Sequence, residues 1–240
     1  MKDYLIFRIY APMVSWGDIA IGTHRPTFDH PSKSAIFGLL AAALGIDRDD
    51  DEAHLQLSSS YNYAVLVNSH GTMLRDYHTS QVPGRSKRKY SSRKEELSVD
   101  DNNLNTIIST RDYYNDCLYT IIISKKADEA PYSFSELIDK LNNPSYNLFI
   151  GRKSCPLALP LDPKIISANN IKEALLTATF KDDGFISELP TSKFCRFYWE
   201  DTDENIGSDQ VISKYDEILS RKRWQFSRRN EYYAMINMEN

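Results

Sequence analysis

The chain has 240 residues, 41% of them hydrophobic, enough for one large domain, or one domain with an appendage, around a sizeable core. Its 33 acidic and 29 basic residues leave a formal net charge of -4, which excludes a general positive field, so any polyanion site must be local. Three widely spaced cysteines with no Cys-x-x-Cys pair exclude a disulfide framework and a zinc ribbon and point to a reducing compartment; no signal-peptide pattern precedes the first short apolar run, and no stretch approaches ~18 apolar residues, so a soluble, cytoplasmic protein is expected.

Residues 4–10 form an apolar and aromatic run with Arg8 as its one charge, the pattern of a central strand. Ser32, after Pro31, caps a predicted helix whose Ala35, Ile36, Leu39, Leu40, Ala43 and Leu44 share one face, with Gly45 as terminator. The acidic run 47–52 lacks the glycine and distal glutamate of a calcium loop and reads as a solvated linker. Residues 61–68 and 117–124 are strand-like, and Ser133-Phe134-Ser135-Glu136 is a capping box that opens a helix toward Leu141. Between those two strands lies an excursion, about 68–116, whose basic centre has no periodic apolar residues and so must lie on a surface, a partner or a ligand. Beyond Pro163 a short helix is expected over 167–180, then strands over 194–200 and 232–238 separated by a polar loop. The order β, α, β, insertion, β, α gives an α+β fold with a ferredoxin-like core. Its predicted organisation is a palm over residues 1–163, interrupted by an insertion at about 69–116, and a C-terminal region over 164–240 that completes the palm or forms a small β-containing appendage.

Charge is concentrated in three places. From Gly84 to Lys94 six cations (Arg85, Lys87, Arg88, Lys89, Arg93 and Lys94) occur without an acid, and five more lie from Arg221 to Arg229, interleaved with Trp224 and Phe226. Both are candidate polyanion contacts; the second equally suits an edge strand with its cations in water. The third, Phe149-Ile150-Gly151-Arg152-Lys153-Ser154-Cys155-Pro156, is a compact anion-binding turn in which glycine permits close backbone approach and Arg152, Lys153 and Ser154 address phosphate oxygens. It is not a P-loop, because the glycine that should stand ahead of Gly-Lys-Ser/Thr is missing.

This turn occurs with Ala11-Pro12-Met13, Trp16-Gly17, Arg25-Pro26-Thr27, the stretch from Pro31 to Leu40, Leu44-Gly45-Ile46 and Leu74-Arg75-Asp76-Tyr77-His78-Thr79, in an order that resembles the CasD family of type I-E CRISPR Cascade subunits, within the RAMP superfamily. The resemblance covers about residues 3–160 and is weak in the C-terminal third. It implies an RRM/RAMP-type palm with a thumb insertion, no cofactor or metal, and a non-catalytic subunit that grips and caps the 5′ handle of the crRNA. It further implies contacts with the Cascade backbone and large subunits, target DNA only within the complex, and no membrane partner. The thumb would reach a neighbouring backbone subunit and bend the guide where the 5′ tag meets the spacer.

Single-stranded RNA is held by cations on phosphates and by rings or guanidinium planes under its bases. Arg152, Lys153 and Ser154, at the Gly151 turn with Phe149 as a stacking neighbour, are the expected core of such a site. Arg25, Lys33 and Ser34 at the entrance to the first helix, where N–H groups favour an anion, are its expected extension. Arg111 and Tyr113 close the excursion and add a cation and a ring, and Arg75, Tyr77 and His78 open it; Trp16 reads as a core anchor. His78 also carries the alternative function, a metal-independent endoribonuclease acting on repeat RNA with His, Tyr and Lys as acid and base. A second alternative is a structural adaptor whose basic segments face acidic proteins.

Overall fold

The computed structural model describes residues 1–85, 88–181, 184, 186–190, 192–200 and 206–238. Its elements in chain order are β1 (Lys2–Val14), β2 (His24–Arg25), α1 (Lys33–Leu44), α2 (Asp51–Ser60), β3 (Tyr61–Ser69), β4 (Thr72–Pro83), α3 (Arg93–Leu97), β5 (Leu104–Lys125), α4 (Phe134–Asn142), β6 (Lys164–Ala168), α5 (Ile171–Thr177), β7 (Phe194–Trp199), β8 (Gln210–Ser220) and β9 (Gln225–Asn237). This is a mixed α+β chain built on one sheet in the order β6-β1-β5-β3-β7-β9-β8, with β2 and β4 also paired to β5.

The continuous apolar character of β1 follows from burial on both faces. Leu5, Phe7, Ile9 and Ala11 face a core shared with Ile36, Phe37 and Leu40 of α1, Leu57 of α2 and Leu137 of α4. Tyr4 and Ile6 face a second core with Ala174 and Leu175 of α5 and Phe197, Trp199 and Ala234 of the C-terminal strands. Arg8 points into that second side, where its guanidinium donates to the carbonyls of Pro160 (3.1 Å) and Lys181 (2.7 Å), so one charge is tolerated in a buried strand.

Helix α1 has the predicted limits. Ser32 Oγ accepts from the Ala35 N–H, and Gly45 ends the helix at φ +83°, a left-handed conformation suited to glycine. Likewise Ser133 caps α4. The acidic run 47–52 is an exposed linker only over 47–49: Asp50 caps α2, and Asp51 and Glu52 lie in its positive first turn. The helix expected over 167–180 is shorter: Ser167 belongs to β6, and Asn170 caps Ile171–Thr177.

Strand β5 organises the molecule. Its 22 residues continue well ahead of the expected 117–124; its second half lies between β1 and β3, while its first half pairs along the whole of β4 from Thr72↔Asn115 to Pro83↔Leu104. The excursion is thus a long two-stranded ribbon capped by α3. No residue from 84 to 97 belongs to a core cluster among the described residues. Strand β8 and the first half of β9 together occupy most of the expected polar loop before residue 232, and β9 lies between β7 and β8, so the edge is β8 and not the Arg/aromatic run. Among the described residues, no helix is long and apolar enough to cross a membrane.

Buried charge joins the C-terminal hairpin to α1. The Lys33 ammonium lies 3.0 Å from Glu200 and 2.7 Å from Glu217, with its side chain fully buried. Arg229 makes paired hydrogen bonds to Asp216 at 2.7 and 2.8 Å and a third to Glu231 at 2.7 Å. His30 stacks on Tyr198 and bridges Asp29 (2.7 Å) and Glu231 (3.0 Å); burial alone would lower its pKa, but those two carboxylates raise it above the ordinary histidine value.

Candidate nucleic-acid interface

The turn at 149–156 is held shut by backbone. Phe149 and Pro156 form a bridge, the Ile150 N–H donates to the Cys155 carbonyl at 2.8 Å, and the Cys155 N–H donates to the Arg152 carbonyl at 2.9 Å. Gly151, at φ +76°, packs directly on the end of β1: a Cβ there would lie 1.7 Å from the Ser15 carbonyl oxygen. Both the backbone angle and the contact require glycine. Ile150 and Cys155 are buried, whereas Lys153 and Ser154 are exposed. The sequence therefore anchors one side of the turn in the core and presents the other to solvent.

Arg152 connects the turn to the base of the ribbon. Its guanidinium sits 4.6 Å from the centroid of the Tyr113 ring and donates to the Arg25 carbonyl at 3.2 Å. In the sheet, Arg25 is the partner of Arg111, and Tyr113 follows two residues later on the same side of β5. Arg152 thus ties the turn to Tyr113 and to the backbone of Arg25, whose own guanidinium donates to the Gly22 and His24 carbonyls at 2.7 and 3.0 Å. His78 lies on the Tyr113 side of the ribbon farther out, opposite Ser109, with Asp76 opposite Arg111.

The other face of the same ribbon carries a different group. Arg75 makes a bidentate contact with Asp112 (2.7 and 3.0 Å), and His24 Nε2 lies 2.9 Å from the same carboxylate. The hydrogen-bonded Arg75 guanidinium is the main cause holding the Asp112 carboxyl below the usual range, with His24 adding to it. Arg75 and Asp112 thus fasten β2 and β4 to β5, with Tyr77, 62% exposed, beside them. The expected Arg75–Tyr77–His78 unit is divided by strand alternation, since consecutive residues point to opposite faces.

Two expected site residues have other work. Lys33 is buried among Glu200 and Glu217, and its own N–H donates to Asp216 Oδ2 at 2.8 Å. The anion favoured by the α1 N-terminus is a protein carboxylate, so Lys33 is not placed to grip phosphate. Tyr113 is 7% exposed and covered by Arg152, which makes it a support for a guanidinium rather than an open base platform. Trp16 packs edge-on against Tyr119 in the core, 5.5 Å between centroids. Ser34 stays partly exposed in a groove with Phe149, and Phe149 itself is 40% exposed.

At the ribbon tip the basic run is partly neutralised. Arg88 pairs with Glu95 at 3.2 Å, and Arg93 pairs with Glu96 and donates to the Gln81 carbonyl. Arg85, Lys89 and Lys94 are exposed; Lys87 lies outside the described residues. What the sequence reading lacked was Asp112, whose chemical signal was only an acid between Arg111 and Tyr113.

The family model described as CRISPR-associated protein (Cas_Cas5) matches residues 4–232. The "CRISPR system Cascade subunit CasD" of Escherichia coli (strain K12) is 35% identical over 184 residues, 73% of this chain and 77% of that protein. Among solved structures, a chain of a "CRISPR RNA-guided surveillance complex" superposes with a TM-score of 0.66 at 21% identity, covering 98% of this chain and 90% of that one. A second, "Crystal structure of Cas protein", gives 0.62 at 21% identity, covering 98% and 96%.

Proposed function

Because this chain belongs to the CasD family of CRISPR-associated Cascade subunits, we propose that it is the subunit that grips and caps the 5′ handle of the crRNA without cutting it. The observation that carries this reading is Arg152, held over Tyr113 and bonded to the Arg25 backbone beside the Arg25–Arg111 strand pair, with exposed Lys153 next to it on a glycine turn seated on Ser15. Guanidinium groups bind phosphate oxygens in bidentate fashion, and an exposed Ser154 hydroxyl adds a hydrogen bond. The net charge of -4 makes this local concentration of cations the chain's means of holding RNA.

The strand order β6-β1-β5-β3, with α1 and α2 between β1 and β3 and α4 between β5 and β6, supports a ferredoxin-like palm of RAMP type. In this reading residues 1–163 supply the palm, β6 from the region 164–240 completes it, and the β4–β5 ribbon is the thumb. The thumb addresses the backbone subunit, the large subunit docks elsewhere on the palm, and target DNA is met only in the assembled cytoplasmic complex. No metal or cofactor is required.

Incubation of the purified protein with labelled repeat RNA tests the reading. Protection of the 5′ segment with no cleavage is expected; specific metal-independent cleavage that disappears in His78→Ala would establish the ribonuclease instead. No RNA binding, alone or in the complex, would leave the adaptor reading.

The thumb permits a separate test. Replacing residues 84–94 with a short Gly/Ser linker removes the Ser92 cap and the first two residues of the short helix α3, but no core residue among those described, so the isolated protein should melt nearly as the parent does. Incorporation into Cascade should fail or weaken, and the parental interaction should fall steeply with salt if the cations track phosphates. Assembly and target binding like the parent would remove the thumb from the interface.

A further inference from the structure

The run from Arg221 to Arg229 is not used by the site described above, yet its first half forms the tip of the β8–β9 hairpin beside that site. Trp224 stands there at φ +57°, a left-handed angle unusual for a bulky residue, with 57% of its surface exposed. Two guanidinium groups share its ring: Arg221 at 4.6 Å and Arg48, from the segment ahead of α2, at 5.1 Å.

Neither arginine has a carboxylate partner among the described residues. Asp51 accepts from the Ser220 hydroxyl at 2.6 Å and from the Lys222 N–H at 3.0 Å, which anchors the tip. Arg221 Nε is buried without a hydrogen-bond partner. Burial, and secondarily the charge of Arg48, lower the pKa of Arg221. Two like charges around one ring, with an unmet donor, form a pre-assembled site for an anion.

Geometry links this site to the turn. Ser34, Gly38 and Ala42 lie along α1 as the floor of a groove of about 200 Å³, with Arg221, Trp224 and Phe226 on one wall and Phe149 and Gly151 on the other. Gly38 keeps the floor low: a Cβ there would stand 3.4 Å from Arg221 Nη2. One wall of the groove therefore offers aromatic surface and the Arg221 guanidinium, with Arg48 against the same Trp224 ring outside the groove, and the other wall carries Phe149 and Gly151, which open the turn that bears Arg152, Lys153 and Ser154. A ligand that follows the groove between the two carries repeated anionic groups and flat rings, as single-stranded nucleic acid does.

We infer that Arg48, Arg221 and Trp224 form a second RNA contact, in which the arginines hold a phosphate and the indole stacks on an unpaired base of the strand leaving the Gly151 turn. The inference rests on the proposed RNA-binding function and extends it to residues of the hairpin and of the loop before α2.

The test uses the full chain and single-stranded RNA carrying the repeat-derived 5′ segment, titrated over a range of salt. Trp224→Ala should weaken binding about tenfold with the salt slope unchanged, since stacking releases no counterion. Arg48→Gln and Arg221→Gln should each weaken binding and reduce the slope of log affinity against log salt by about one. Arg48 is exposed, so its variant is the control against misfolding at the hairpin. Normal affinity in all three variants, with loss in Arg152→Ala/Lys153→Ala, would overturn this contact and leave the main reading standing. Normal affinity in every variant would overturn both. Tip variants that bind RNA normally but fail to join Cascade would assign the hairpin to a protein contact and overturn the inference.

Discussion

Lys33→Met is expected to destabilise the isolated protein by about 3–5 kcal/mol at about pH 7.5, the usual cost of removing one partner from a buried ion pair. The Lys33 side chain is fully buried, with its ammonium between Glu200 and Glu217 and its stem beside Phe37. Among the described residues, loss of the cation leaves Glu200 with the Tyr63 N–H and the Lys126 ammonium at 3.9 Å, and Glu217 with the Ser58 hydroxyl, a weaker compensation than the two close contacts to Lys33. Burial already raises the pKa of Glu200, while Lys33 lowers it and helps to hold Glu217 below its ordinary value. Without Lys33 both acids move upward, and a folded-state pKa above the unfolded value costs stability as pH rises through that interval. The deficit should therefore shrink at about pH 5, where the folded variant takes up protons that its unfolded state does not hold. Urea unfolding at the two pH values measures this. A loss below about 1 kcal/mol at both would show that the carboxylates are well solvated. RNA affinity per folded molecule should be unchanged, which distinguishes a structural lysine from a phosphate contact.

Lys33 also shows what can and cannot be read from sequence. Its place just after a helix cap was evident from Pro31-Ser32, and so was the attraction of that end for an anion. The anion is Asp216, which lies 183 residues away and reaches Lys33 through the β8–β9 hairpin. Local pattern carries no information about such a partner. Strand β8 was hidden for a related reason: an edge strand with Val211, Tyr215 and Leu219 exposed does not show a clean buried stripe. Helix α1 and strands β1 and β3 were readable because periodicity, caps and double-sided burial coincided. The sequence marks the ribbon as an excursion but not as paired strands, since Thr72–Pro83 is stabilised mainly by β5 rather than by a core. At the site, the Gly151 turn was visible in residue types alone, whereas the division of Arg75 and Tyr77 from Arg111 and Tyr113 required the register of β4 on β5.

Gly151→Val and the double variant Arg152→Ala/Lys153→Ala should both lose guide RNA, for different reasons. In the double variant the backbone turn survives, because its hydrogen bonds run between Ile150, Arg152 and Cys155 main-chain atoms. Only the cations go. Hydrogen bonds to charged groups contribute on the order of 1.5–3 kcal/mol each, so affinity for the 5′ segment should fall by about tenfold or more, and the salt dependence should flatten. Gly151→Val acts through position instead: valine is strained at φ +76°, and its Cβ would meet the Ser15 carbonyl at 1.7 Å. The turn must lift from β1, carrying Arg152 away from Tyr113 and Arg25. Affinity should fall at least as far although both cations remain, and melting should also decline, because Ile150 and Cys155 are pulled from the core. Binding titrations and melting curves on the two purified variants separate these effects. Retention of RNA by Gly151→Val with normal affinity would mean that the seating of the turn is irrelevant, and retention by the double variant would mean that the guide is held elsewhere on the protein.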